Sequence, residues 1–222
     1  MLDRLFEQFD CLIALDTETT GVRPRRDEII ELGLTILTPD GALRQEDWLI
    51  SLEEGRRLPP QIVRLTGITD ELLRTRGVDR AVAAEGFAKT LLAAERPLVA
   101  AYNAQFDLCF LYFFLRRLGR EEVLRRARFL DVMSVYKDRR DYPHKLSDAV
   151  AAYAAEGANT HRACDDARAA LEVLRAMERE RDDIHRYINL FGYNPRYGVS
   201  GPRIASVRYE PQPYDRRKRL YE

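Results

Sequence analysis

Lysine is nearly missing from this chain. Almost all of its 36 basic residues are arginine, and 36 acidic residues bring the formal charge to zero. With no excess of either sign, an anionic partner would have to meet a local basic rim rather than a basic molecule. Arginine suits phosphate through its planar fork, and a GC-rich codon bias would produce the same composition. Cysteine is scarce: Cys11, Cys109 and Cys164 stand far apart, with no CxxC pair. That excludes a disulfide framework and a zinc-ribbon spacing, and the odd count points to reduced thiols. No apolar run approaches the roughly 18–20 residues of a membrane span. The opening MLDRLFEQFD has neither the basic region nor the apolar stretch of a secretion signal, so the expectation is a cytoplasmic protein without a membrane role. No internal repeat or low-complexity linker interrupts the chain.

What is present is an ordinary globular composition, 45% apolar and 32% charged over 222 residues. That length suggests one domain with room for an appendage. CLIALDTET reads as a buried strand that ends in acids. EIIELGLTIL and LRQEDWLI read as two more strands, meeting around the turn signal PDG, so the first three predict an antiparallel meander. Short helices are expected over residues 59–75, with Thr69 as a cap. A longer helix is expected over 78–95, with Val78, Val82, Phe87, Leu91 and Leu92 as its apolar stripe. PLVAAY predicts a fourth strand. Asn103 is placed as an N-cap, followed by a strongly apolar helix running to Gly119. ARFLDVM predicts a fifth strand, HKLSDAVAAYA a helix, and residues 161–180 a last helix with Ala163, Ala167, Ala170, Leu171 and Leu174 inward. A meander followed by alternating helices and strands indicates an α/β fold: a mixed five-stranded sheet with helices on both faces.

Chemistry concentrates in three blocks: LDTETTG with Asp16 and Glu18, NAQFD with Asp107, and HRACDD with His161 and Asp166. Residues two apart in a strand share a face, so Asp16 and Glu18 project together. Clustered carboxylates repel and hold protons unless cations join them. An oxygen-only acidic set suits hard divalent ions rather than zinc. Two such ions about 3.5–4 Å apart can hold the attacking and leaving oxygens of a phosphodiester. A histidine, titrating near neutral pH, can take the proton of an attacking water. His161 and Asp166 are five apart, about 140° around a helix, so they would not share a face if both were helical. Thr160 or Asn159 could cap the helix, leaving His161 at its ragged start. Asp165 points about 100° from Asp166 and is set aside.

DxETTG, NxxFD and HxxxxD, in this order and approximate spacing, resemble the DEDDh 3′→5′ exonucleases, the group typified by the bacterial proofreading subunit of DNA polymerase III. LTGITDELL, FLDVM and HKLSDAV between the blocks are similar too, and the likeness covers residues 10–180. It implies a ribonuclease H-like fold and two divalent cations, Mg²⁺ or Mn²⁺, held by Asp16, Glu18, Asp107 and Asp166. In the family's pattern Asp16 bridges both ions, Glu18 and Asp166 hold the ion of the nucleophilic water, and Asp107 serves the second ion through water. His161 is the general base, which places the chain in the histidine branch. Asp131 matches an acid that supports the site. Thr19, Leu65, Thr66, Asn103 and Phe106 match positions near the 3′-terminal nucleotide. Many relatives carry histidine at the places of Thr66 and Tyr102, so the shape of the 3′ pocket departs from theirs. The implied substrate is a single-stranded DNA 3′ end, cut to nucleoside 5′-monophosphates. RNA, as for oligoribonuclease or RNase T, and a proofreading subunit working with a polymerase or clamp are the alternatives.

The exonuclease domain is expected over residues 1–181. Residues 182–222, rich in proline and tyrosine and ending near RRKR, form a C-terminal tail, packed across the domain or partly disordered. It resembles the end of some small stand-alone bacterial exonucleases. INLFGY at 188–193 is faintly similar to a clamp-binding peptide.

Overall fold

A computed structural model describes residues 2–156, 160–212 and 220. Asn159 and the RRKR run at 216–219 lie outside the described residues. The central sheet has the order β3-β2-β1-β4-β5. Its strands are β1 (Cys11–Thr19), β2 (Ile29–Leu37), β3 (Leu43–Leu49), β4 (Pro97–Ala101) and β5 (Arg128–Asp131). The first three form the expected antiparallel meander, with Gly41 at positive φ in the turn. β4 and β5 then add in parallel on the other side of β1, as crossover helices require.

β1 and β2 are almost wholly buried because helices cover both faces. On one face Ile13, Leu15, Leu32 and Leu34 meet Phe87 and Leu91 of α4 (Arg80–Leu92) and Phe110, Leu111 and Leu115 of α5 (Ala104–Arg116). On the other, Leu12, Ala14 and Leu37 meet Ala170, Leu171, Leu174 and Met177 of α8 (Ala163–Glu180). That second layer also holds α6 (Val132–Arg139) and α7 (Leu146–Tyr153). Three short helices complete the set among the described residues: α1 (Asp3–Phe6), α2 (Pro60–Thr66) and α3 (Asp70–Arg76), the last capped by Thr69 as expected. Among the described residues no helix is long and apolar enough to cross a membrane.

The stripe expected on α4 is corrected. Val82 and Leu92 are more than half exposed, and the buried face is Ala83, Ala84, Phe87, Ala88 and Leu91. Alanines carry little apolar signal, so the rotation of this helix was set by where small residues permit close approach. α6 was absent from the sequence reading; its run VMSVYKDR is short and weakly periodic.

Gly33 decides how α8 docks. It sits opposite Asp16 in the β1–β2 ladder. A Cβ there would fall 2.2 Å from the Cys164 amide nitrogen and 2.3 Å from the Ala163 carbonyl carbon. Only glycine lets the start of α8 lie directly on the sheet, and that contact brings the third block of acids to the first.

The described part of the tail is packed. Residues Leu190–Tyr193 (β6) and Arg208–Pro211 (β7) pair in parallel, and Tyr187, Leu190, Phe191 and Val207 are buried. With Leu190 and Phe191 in the interior, INLFGY does not present a clamp peptide.

Candidate active site

Asp16 and Glu18 lie on the face of β1 covered by α8. The ladder between β1 and β4 ends at the Ala14–Ala100 pair, so the second half of β1, from Leu15 to Thr19, has no strand on that side. α5 fills the gap. Its first-turn Asp107 accepts the Thr17 amide at 3.0 Å and the Thr17 hydroxyl at 2.8 Å, both on Oδ1. Oδ2 is the oxygen left for a cation or its water. Asp131 holds α5 in place: its Oδ1 accepts the Ala104 amide at 3.0 Å, and its other oxygen accepts Ser134 Oγ. The supporting part expected of Asp131 thus has a definite content, the N-terminus of the Asp107 helix.

α8 starts at Ala163, with Arg162 as the N-cap residue. The helix therefore begins two residues later than expected, and Thr160 does not cap it. His161 stands outside it with φ +56°, a left-handed conformation uncommon for a side-chain-bearing residue. Two bonds shape this turn: Asp166 Oδ1 accepts the Thr160 amide at 2.9 Å, and Asp165 Oδ2 accepts the Thr160 hydroxyl at 2.8 Å. The reversed backbone overcomes the 140° separation. Ligand atoms of Glu18, His161 and Asp166 lie within 4.8 Å of one another. Asp16 and Asp107 lie outside that tight group, joined to it by mutual repulsion.

The electrostatics identify what the site needs. Burial, then the charges of Asp107, Glu18, Asp166 and Glu31, hold Asp16 well above the usual carboxylate range. Glu18 is pushed up to about 8 by burial first and then by Asp166, Glu31 and Asp107, with Arg162 opposing. Burial raises Asp107 to about 7 against its hydrogen bonds from Thr17. Buried, mutually repelling carboxylates whose charge Arg162 offsets only in part fit divalent cations.

These shifts give a stability prediction. The folded protein binds protons at Glu18 and Asp107 that the unfolded chain releases near its ordinary carboxylate values. Between about pH 5 and 8 the native state therefore holds more protons, and stability falls as pH rises. In chelator the melting temperature is expected to drop from pH 6 to pH 8.5. Added Mg²⁺ should raise it more at pH 8.5, where fewer protons must be displaced. Scanning fluorimetry with and without Mg²⁺ measures both, and a melting point that climbs with pH in chelator contradicts this picture.

Sequence reading missed Glu31 and Arg162. Glu31 is fully buried on β2, directly across from Glu18. It accepts Arg162 Nε at 2.9 Å and Nη2 at 2.5 Å on Oε1, and the Ala163 amide at 2.8 Å on Oε2. One carboxylate thus ties the start of α8, and with it His161, to the sheet. The available signal was an acid inside the apolar run EIIELGL, since a buried charge requires a partner. Glu31→Gln is expected to cost about 1.5–3 kcal/mol, the scale of hydrogen bonds to a charged group. Urea unfolding checks the size, and an unchanged midpoint would show that Arg162 and Ala163 need no anchor.

The expected substrate residues divide. Thr66 is corrected: it is 4% exposed, and its hydroxyl donates to the Ile62 carbonyl and accepts the Ile68 amide, so it cannot reach a ligand. Its neighbour Leu65 is 51% exposed. Thr19 is buried, its hydroxyl donates to the Gly21 carbonyl at 2.6 Å, and it stands opposite Ile29 in the β1–β2 ladder. Asn103 precedes α5 with φ +65°, and its side chain caps nothing, contrary to expectation; it is exposed. Phe106 is half-buried, stacked on Phe110 at 4.8 Å. Tyr102 is turned away, its hydroxyl against the carbonyls of His144 and Lys145.

Comparison with known proteins gives the fold and the family. A solved structure of an E. coli exonuclease I complex with single-stranded DNA superposes with a TM-score of 0.71 over 81% of this chain and 43% of that one, at 18% identity, a likeness of fold. A Mycobacterium tuberculosis protein named for paired exonuclease and endonuclease activities is 34% identical over 216 residues, 91% of this chain. The DNA polymerase III epsilon subunit of Treponema pallidum is 26% identical over 74% of each chain, and a PolC-type polymerase of Thermotoga petrophila 31% identical over 75% of this one. The chain spans 32% of the M. tuberculosis relative and 12% of the polymerase. The RNase_T exonuclease family model matches residues 13–174, a span that takes in every acid of the cluster as well as His161, and it is to this family of 3′→5′ exonucleases that the chain belongs.

Proposed function

We propose that this chain is a divalent-metal-dependent 3′→5′ exonuclease that removes nucleoside 5′-monophosphates from single-stranded DNA. The observation that carries the reading is the meeting of Glu18, His161 and Asp166 at the C-terminal end of β1, beside Asp16 and Asp107. Asp16, Glu18, Asp107 and Asp166 would hold the cations, two in number and Mg²⁺ or Mn²⁺ by the hardness of their oxygens. When bound, such ions neutralise the acids and stabilise charge developing on the phosphoryl group.

The chain's own residues do the rest. His161, freed from the helix, takes a proton from the attacking water onto its imidazole. The water oxygen adds to the terminal phosphorus as the bond to the 3′-oxygen of the preceding nucleotide breaks in line. Glu31 and Arg162 keep the imidazole turn in register. Leu65, Phe106 and the Asn103 turn border the terminal nucleotide, with Thr19 beneath.

Single-stranded DNA is favoured because an unpaired terminal base reaches apolar side chains without a duplex being opened. E. coli exonuclease I, the structural neighbour, has been solved with a dT13 oligonucleotide. Pairing with a polymerase rests on the polymerase III relatives alone. The test is digestion of matched 5′-labelled DNA and RNA 20-mers with Mg²⁺ or Mn²⁺. A descending ladder from DNA, slower on blunt duplex and blocked by a 3′-phosphate, is expected. Faster RNA cleavage would move the substrate to RNA, and cutting of circular single strands would overturn the exonuclease polarity.

A further inference from the structure

The outward arc of α5 carries a feature that the chemistry above does not use. At about 100° per residue, Gln105, Cys109, Tyr112 and Arg116 form one stripe, and Phe106, Phe113 and Arg117 form the stripe beside it. Both face away from the sheet, the first about opposite Asp107 and the second about 100° from it. Gln105 and Cys109 are buried, Phe106, Tyr112 and Phe113 half-buried, and Arg116 and Arg117 exposed. The arc begins at Phe106, next to the catalytic cluster, and runs roughly 15 Å to Arg116.

Two segments wall it. On one side is the loop that follows β1. Arg25 stacks over the Phe113 ring at 5.1 Å, and Arg117 donates to the Arg25 carbonyl at 3.1 Å. On the other side is the C-terminal segment. Gln105, 8% exposed, donates to the carbonyls of Ser200 at 2.8 Å and Pro202 at 2.6 Å, and its oxygen accepts Tyr209 Oη. This clasp fixes the tail against the helix. The tail in turn presents Arg203 over Tyr209 at 5.0 Å and Arg196 over the exposed Tyr197 at 5.4 Å. Arg116 lies over Tyr112 at 6.0 Å between the walls.

Elsewhere in this neutral chain Arg80, Arg139, Arg162 and Arg175 are among the arginines paired with a carboxylate, whereas others, Arg64, Arg76 and Arg96 among them, are single exposed charges away from any such aromatic array. Among the described residues, Arg25, Arg116, Arg117, Arg196 and Arg203 have no carboxylate within ion-pair distance. The acids close by are engaged, Asp27 on the Arg23 amide at 2.7 Å and Glu210 with Arg208 at 3.0 Å. Unneutralised guanidinium groups interleaved with aromatic faces combine charge for phosphates with platforms for bases, the recognition chemistry of single strands.

We propose that this arc, walled by the Arg25 loop and the Gln105-clasped tail, carries the single-stranded DNA that leads to the cleaved 3′ end. The proposal rests on the exonuclease reading for its polarity, and it gives the tail a substrate role. It also accounts for a clasp made by a buried glutamine: the tail's arginines are useful only if held at a set distance from the helix.

The test is binding, which needs no turnover. The full chain and the Arg25→Ala/Arg116→Ala/Arg203→Ala variant would be titrated with fluorescein-labelled dT20 in chelator at several NaCl concentrations, reading anisotropy. These are exposed side chains, and circular dichroism melts check that the fold is kept. Each lost phosphate contact lowers the salt slope by about 0.7 for a single strand. The expected result is a slope smaller by about 2 and binding about tenfold weaker at 100 mM salt, with the slope restored by the corresponding triple lysine variant. Equal slope and affinity in the alanine variant and the parent would overturn the proposal. Hydrolysis of thymidine 5′-monophosphate p-nitrophenyl ester by the unaltered protein with Mn²⁺ tests the exonuclease reading separately, because that ester has no upstream strand. If the ester is untouched while the dT20 slopes differ, the exonuclease reading fails and the DNA track stands.

Discussion

Asp16→Ala is expected to lower single-strand turnover by at least about 10³-fold, because the charge stabilisation supplied by cations at such a site is worth several kcal/mol. Asp16 feels the charge of Asp107 on one layer and of Glu18 and Asp166 on the other, so its loss disturbs every cation position at once. The same substitution relieves repulsion. The variant should melt higher than the parent in chelator at pH 8, and Mg²⁺ should raise its melting temperature less. The three results belong together: activity by end-labelled digestion, stability and metal response by fluorimetry. Full turnover by this variant, or by the parent in excess chelator, would remove the metal-dependent reading.

His161→Ala is expected to lower kcat by about 10²–10⁴, the usual worth of a positioned general base. Metal response of the melting temperature should change far less than for Asp16→Ala, since all four carboxylates remain. This separates a base from a ligand, a distinction that matters because the imidazole lies within 4.8 Å of both Glu18 and Asp166 ligand atoms. Single-turnover kinetics at saturating Mg²⁺ give the chemical step directly. Near-normal turnover at neutral pH would make His161 a bystander. A lost Mg²⁺ response would make it a ligand.

Which parts of this were legible in the chain follows from the range of the forces involved. The meander was readable because β1 and β2 are apolar runs broken by turn residues, and Asp16 and Glu18 were placed together by the two-residue repeat of a strand. The family blocks carried the five positions proposed for catalysis. The apolar stripe of α8 was readable because its leucines and alanines recur at helical spacing. The stripe of α4 was not, because its buried residues are mostly alanines and its exposed ones include Val82 and Leu92.

Other features depend on partners distant in sequence. His161 and Asp166 cannot share a helical face at five residues' separation; a positive-φ residue outside the helix brings them together, and that backbone is held by Asp165, Asp166 and Glu31. Glu31 lies 131 residues from Arg162, beyond any local pattern. The Thr66 hydroxyl closes its own helix turn, and the tail is held by Gln105 and Cys109 of α5, some 95 residues before it in the chain. By itself the sequence determined the five strands, most of the helices, the acids and the family, because apolar periodicity and motif spacing are local properties. Tertiary structure alone decided how the acids meet, because a carboxylate's position and ionisation are set by what packs against it from elsewhere in the chain.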